Sequence, residues 1–237
     1  PNEVQRMKEQ HADRFNFYES TRLGFQYLGL NHERFGLNDV VVRQAIAYAV
    51  DRQKMVEDIV QGNGQLMHSP ILEVSWAHTE QGLHRYEHDP DRAVELLQQA
   101  GFTRGEDGIF VRNGNRLSYT LLTNSDNKIR EAMSRLVQKN LRDVGIEIKC
   151  EYTDWETLLK EHLWVGEMDM WLSGFALGVD PDPFVFYHSA MARKDDQGYF
   201  KGYNRAQFSH ERVDELLEEG RQTLEREKRK EIYAELQ

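Results

Sequence analysis

The chain has 237 residues, 39% hydrophobic and 11% aromatic, enough to bury a core as one large domain or two small ones. Acids outnumber bases 40 to 30 for a net charge of -10, which argues against nucleic acid; the one basic cluster, Arg226 to Lys230, is interleaved with glutamate at helical spacing and reads as a solvated helix face. The lone cysteine, Cys150, excludes a disulfide framework, a CxxC redox motif and a thiolate zinc site within the chain, and no apolar run of about 18 residues is present to span a membrane as a helix.

The opening "VQRMKEQ" predicts a short helix, and the aromatic-rich "RFNFYES" and "GFQYLGLN" read as paired strands. In "DVVVRQAIAYAVDR" the apolar residues Val42, Ala45, Ile46, Ala49 and Val50 share one helical face. Asn38 or Asp39 caps the start of this helix, and Asp51 caps a second one that ends at Gly62. A long irregular stretch follows, "QLMHSPILEVSWAHTEQGLHRYEH"; such segments in a compact domain are functional or packed across a surface. Asp89, Pro90 and Gly101 then mark the cap, first position and end of a further helix.

"GEDGIFVRNGNRLSYTLLTN" predicts a hairpin turning at Asn113-Gly114, its second strand placing Leu117, Tyr119 and Leu121 on one face. A helix over about 128–143 carries the stripe Ile129, Met133, Leu136, Val137 and Leu141, and Gly145 ends it. "IEIKCEY" is the next strand, with Cys150 as a small hydrophobe. Asp154 caps a helix opening at Trp155, and "MDMWLSGFA" forms another strand. The last helix, from about Val213, turns Val213, Leu216, Leu217 and Leu224 inward. No repeat, low-complexity tract or linker divides the chain. The alternation predicts one α/β domain over 1–237, a mixed sheet flanked by helices.

Chemistry-bearing motifs are few. His84 and His88 are four apart, but the helix begins only at Asp89-Pro90, and residues before proline avoid helical angles. They read as a surface loop, so no metal ligand is assigned. GxSxG, the P-loop, GxGxxG and HExxH are all missing, so no catalytic residue and no cofactor is assigned. The segment "WLSGFALGVDPDPFVFYHS" stands out. An aromatic strand ends at Gly174, and a proline-fixed acidic turn with Asp180 and Asp182 follows. Ligands of open α/β sheets bind just beyond strand ends, and aromatic walls with one or two carboxylates suit a ligand with apolar parts and a positive amine. Equally, Trp171, Phe175, Phe184 and Phe186 could be core, with the aspartates only shaping a turn.

Matches in order along nearly the whole chain carry a resemblance. They are "YLGLN", "LNDVVVRQAIAYAVDRQKMVEDIVQGNG", "HDPDRAVELLQQAGF", "DGIFVRNGNRLSYTLLTN", "LRDVGIEIKCEYTDW", "GFALGVDPDP" and "FSHERVDELLEEG". Together they resemble the second lobe of the peptide-type (family 5) solute-binding proteins of ABC importers, which bind oligopeptides, dipeptides and, in some members, nickel complexes or glycans. The resemblance implies a periplasmic-binding-protein-like lobe, cut from a two-lobed extracytoplasmic protein, periplasmic or a cell-surface lipoprotein. Its partners would be an oligopeptide or similar small ligand, the missing N-terminal lobe and the membrane subunits of an ABC permease. Half a cleft cannot enclose a ligand, so this chain alone is expected to bind weakly or undetectably.

Within that resemblance Trp171, Phe175, Asp180 and Asp182 become ligand-binding candidates, joined by Trp76 from the irregular stretch, whereas Trp155 is expected to pack as core. Peptide-binding members anchor the ligand's amine on an aspartate between the glycine-aromatic pair and the "DP" turn. Here those positions are Ala176, Leu177, Gly178 and Val179, which leaves Asp180 as the nearest candidate, and Phe175 replaces the usual tryptophan. Aromatic platforms would serve sugars as readily as peptides, and metal chelates also compete. Readings from other classes are the ligand sensor of a transcriptional regulator and an enzyme with a hidden site.

Overall fold

A computed structural model describes residues 2–18, 20 and 22–237, with backbone only for Asn2 and Gln5. Helix starts follow local chemistry. Asp39, Asp51, Asp89 and Asp154 each accept a hydrogen bond from a backbone N–H two or three residues on, at 2.9–3.0 Å, as does Asn127 at 3.1 Å. In chain order the elements are α1 (Asn2–His11), β1 (Gly24–Leu30), α2 (Val40–Ala49) and α3 (Arg52–Lys54), the last running into a π-helical turn, Met55–Ile59. Next come α4 (Pro90–Gln99), the small strands β2 (Thr103–Arg104), β3 (Phe110–Arg112) and β4 (Asn115–Arg116), then β5 (Ser118–Asn124), α5 (Lys128–Asp143) and β6 (Glu147–Thr153). The chain continues through α6 (Trp155–Thr157), a π-helical segment Leu158–Leu163, β7 (Met170–Ala176), α7 (Phe184–Tyr187), a 3-10 turn Ser189–Ala192, α8 (Glu211–Gln222) and α9 (Arg226–Leu236).

The main sheet has four strands in the order β1-β7-β5-β6, with β5 parallel to both neighbours and β1 antiparallel to β7. This is the mixed α/β architecture that the alternation of elements predicts. One face packs on α2, α4 and α5 through Val42, Ala45, Ile46, Leu97, Leu121, Val137, Leu141, Met170 and Leu172, all buried. The other carries a smaller core of Leu122, Leu158, Leu163, Met168 and Trp171. Gly145 ends α5 at φ +88, and a Cβ there would lie 2.8 Å from the Gly108 carbonyl oxygen, so the turn into β6 requires glycine.

Three expectations change. The strand foreseen over "RFNFYES" is absent: residues 15–18 carry no regular structure, and Glu19 lies outside the described residues. β1 pairs instead with β7, from Gly24 opposite Ala176 to Leu30 opposite Met170. That pairing lets Leu28 and Leu30 reach the large core, and periodicity alone cannot name so distant a partner. After the Asn113-Gly114 turn the chain splits: β4 pairs back on β3, while β5 joins the main sheet. Leu224, foreseen as inward, is 97% exposed because α8 stops at Gln222 and α9 begins afresh.

Candidate functional site

The carboxyl ends of β5, β6 and β7 and the amino end of β1 meet at one edge of the sheet. Alternation along β7 sends Trp171, Ser173 and Phe175 to the face opposite the large core, and β1 sends Phe25 and Tyr27 to the same side. There Tyr27 stacks on Phe175 (centroids 5.0 Å apart, planes at 11°), Phe186 lies 4.5 Å from Phe175, and Tyr203 stacks on Phe186 at 5.7 Å. Phe25 closes the row edge-on to Phe175 at 5.9 Å. The result is an aromatic panel built from β1, β7, α7 and the loop after it.

Trp171 lies beneath this panel. It is 1% exposed, fills the space over Gly29, and its indole Nε1 donates to the Tyr27 hydroxyl at 3.1 Å. Burial raises the Tyr27 pKa, so the hydroxyl stays protonated across the physiological range. As a ligand contact, Trp171 is therefore corrected: it is core, and it positions Tyr27.

Beside the panel runs a groove of about 310 Å³. One wall is Pro70, Ile71, Val74 and Trp76, the middle of the irregular stretch; the other is Ala176 to Phe186. The stretch is held down where Ile71, Ala77 and Trp76 pack on Tyr233 of α9, and Gln237 donates to the Ala77 carbonyl at 3.0 Å.

The acidic turn is already neutralised. Asp180 takes a two-pronged ion pair from Arg229, 2.7 Å to Oδ1 and 3.0 Å to Oδ2, which holds its carboxyl below the usual range. Arg229 is pinned in turn, donating to the Gly220 carbonyl at 2.8 Å and the Tyr233 hydroxyl at 3.0 Å. Asp182 pairs with Arg221 Nε at 3.0 Å and accepts the Phe184 N–H at 3.0 Å. Trp76 sits under two cations, Arg226 at 5.0 Å and Arg229 at 5.8 Å. The groove is lined by aliphatic carbon and prolines, and the two carboxylates that border it are each paired with an arginine.

Comparison with known proteins now decides the family. Residues 1–197 match the family described as "Bacterial extracellular solute-binding proteins, family 5 Middle". The chain belongs to this family. The oligopeptide-binding protein AppA of Bacillus subtilis (strain 168) is 28% identical over 234 residues, which cover 95% of the chain and 41% of AppA. The structure of Bacillus subtilis AppA in complex with a nonapeptide superposes with a TM-score of 0.84 at 26% identity, over 97% of this chain and 45% of that one. NikZ from Campylobacter jejuni in complex with Ni(L-His) gives 0.84 at 25% identity, over 99% and 46%. The family 5 chain thus spans about two fifths of its curated relative's length, and it has the α/β lobe fold of its structural neighbours.

Of the residues singled out from sequence, the structure brings Phe175 into the panel and lines the groove with Trp76, Asp180 and Asp182, while Trp171 lies below. Asp180 stands at the rim of the groove with its side chain 61% exposed, paired there with Arg229. Trp155 is also corrected: it is 39% exposed at the carboxyl end of β6, not core. Tyr27 and Tyr203 carry no assignment from the sequence, and Arg229, expected on a solvated helix face, is instead only 17% exposed and paired with Asp180. Alternation would have put Tyr27 on the side of Phe175 once β1 and β7 were paired; Arg229 gives no such signal, being 49 residues from its partner. His84 bonds the Tyr48 hydroxyl at 2.8 Å and His88 faces Asp51 at 3.7 Å, so the two histidines turn to different partners.

Proposed function

We propose that residues 1–237 form one lobe of a two-lobed extracytoplasmic receptor of an ABC importer, which captures oligopeptides and presents them to the permease. The observation that carries this reading is the aromatic panel of Tyr27, Phe175, Phe186 and Tyr203 at the sheet edge, with the largely apolar groove beside it. Such a surface takes apolar side chains of varied shape out of water at about 25 cal/mol per Å² while demanding little of their sequence. Likeness to AppA, whose structure holds a nonapeptide, supports a peptide over a small polar solute.

The mechanism is capture by closure. One lobe covers one side of the ligand; a second lobe swinging in about a hinge excludes the remaining water, and the closed shape is what a permease recognises. With Asp180 neutralised by Arg229, the groove beside it accepts an apolar residue rather than a free amine. No step of bond making or breaking is involved.

Native mass spectrometry of the full-length protein, purified without denaturation, tests the reading by comparing masses before and after unfolding. A heterogeneous set of released peptide masses is expected. Release of a single sugar or metal chelate would keep the receptor and overturn the peptide.

A further inference from the structure

One guanidinium behind the aromatic panel has no countercharge. Arg205, in the loop that leads to α8, is 3% exposed, and a buried charge is costly unless it is paired. The loop is anchored on either side of it. The buried Asn204 amide donates to the His188 and Phe208 carbonyls at 3.1 and 2.8 Å, and the Ala206 carbonyl accepts the His32 N–H at 2.9 Å. Held between these anchors, the Arg205 guanidinium lies 5.3 Å from the Tyr203 ring centroid and donates to the hydroxyl of Tyr27, whose ring stacks on Phe175. Its Nε has no hydrogen-bond partner, and among the described residues it forms no ion pair.

The charge therefore meets phenols, those of Tyr27 and Tyr203, in place of carboxylates. Burial depresses the Arg205 pKa from its ordinary value, yet an arginine keeps its proton throughout the physiological range. The neighbouring cations differ. Arg221 and Arg229 lie over Phe184 and Trp76 at 4.1 and 5.8 Å, but each is paired, with Asp182 and Asp180 respectively. Tyr203 is 47% exposed, so Arg205 sits one ring below the surface that faces a ligand.

That placement sets the sign of the panel. Aromatic faces attract cations, so the rings by themselves would welcome a lysine or arginine side chain. A full like charge directly behind them reverses the preference, because Coulomb repulsion at a half-buried site is several times the pull of an aromatic face on a cation. Uncharged side chains do not feel the charge and keep the gain of burial. The net charge of -10 draws cations toward the chain as a whole; Arg205 acts only where the rings are met.

We propose that Arg205 is a specificity-determining residue: its unpaired charge makes the panel of Tyr27, Phe175, Phe186 and Tyr203 reject cationic side chains and take uncharged, apolar or aromatic ones. The proposal rests on the peptide-receptor reading for the source of the side chain, but not for the sign of the field at the panel.

Two measurements on the full-length protein test it. In the first, matched tri- to pentapeptides carrying Leu or Lys at each position in turn are offered to the wild type, Arg205→Met and Arg205→Lys, and retained peptides are weighed. Arg205→Met keeps the side chain's bulk and strands no acid, so it is expected to fold, with thermal unfolding as the check. The wild type should favour Leu over Lys roughly tenfold at the position that meets the panel. Arg205→Lys should keep that preference, and Arg205→Met should reduce it to about twofold or invert it. Tolerance of Lys at every position by the wild type, or an unchanged preference in Arg205→Met, overturns the proposal.

The second measurement needs neither peptide nor an Arg205 variant. Phenylacetate and benzylammonium, one ring with opposite charges, are titrated against protein labelled with 13C-tyrosine. The ring resonances of Tyr27 and Tyr203, assigned by their loss in Tyr27→Phe and Tyr203→Phe, report binding. Desolvation penalises both ions, whereas the field of Arg205 separates them, so saturation by phenylacetate is expected at a roughly tenfold lower concentration. This order without retained peptides supports the charge filter while the peptide reading falls by itself. Benzylammonium equal to or tighter than phenylacetate, or no movement of either ring with either ion, overturns the proposal.

Discussion

Gly29→Ala tests the packing that holds the aromatic panel in place. A Cβ at this position would lie 2.1, 2.3 and 2.6 Å from ring atoms of Trp171. The indole has no room to retreat: it is 1% exposed and packs among Leu122, Leu158, Leu163 and Met168. Either Trp171 is displaced or β1 moves off β7. Overpacking of this kind costs roughly 1–3 kcal/mol, and stranding the indole N–H, which bonds Tyr27 at 3.1 Å, adds about 1–3 kcal/mol. A total near 3 kcal/mol lowers the melting temperature of a chain this size by about 6–12 °C. Thermal unfolding followed by circular dichroism measures it. Because the methyl and the indole compete for one space, Gly29→Ala combined with Trp171→Phe should cost less than the sum of the single changes, by about 1 kcal/mol or more. A melting temperature within about 1 °C of wild type, or strictly additive penalties, would refute this account of Trp171 as the panel's support.

Other expectations follow from the same contacts. Phe175→Ala removes the ring shared by Tyr27, Phe186 and Tyr203 and should weaken peptide binding by the full-length protein roughly tenfold or more, read by calorimetry. Arg229 holds the Asp180 carboxyl below its ordinary 3.8, so the pair's contribution to stability is complete above about pH 4 and is lost as pH falls through the folded value. Asp180→Asn should flatten acid unfolding in that window, yet leave the ratio of affinities for free-amine and N-acetylated peptides unchanged. Burial and the nearby Arg43 lower His32 to about 4, below its ordinary 6.5. The unfolded chain therefore takes up that proton first, so His32 costs stability as pH drops from 6.5 toward 4; His32→Gln should remove this part of the pH dependence of denaturant unfolding.

What the sequence disclosed was local. Asp39, Asp51, Asp89 and Asp154 act within a single helical turn, and Asn113-Gly114 turns the chain with positive φ at both residues, 53 and 77, so residue type is enough to mark them. The misassignments lie where distant segments meet. Alternation puts Trp171 and Phe175 on one face of β7, but it cannot say that the turn Leu158–Leu163 folds beneath the first and leaves the second in the open panel. Trp155 stays exposed because it opens a three-residue helix at the sheet edge, before the chain turns inward at Leu158. Asp180 looked like a free carboxylate, and only the return of α9 supplies Arg229.

The most direct test of the central claim, that this chain is one side of a closing cleft, is a paired calorimetric titration. The 237-residue chain and the full-length protein are each titrated with the same tri- to pentapeptide mixture. The account predicts saturable binding by the full-length protein and weak or undetectable binding by the chain alone, since a single lobe can neither surround a ligand nor desolvate it. Micromolar or tighter binding by the isolated chain would contradict it.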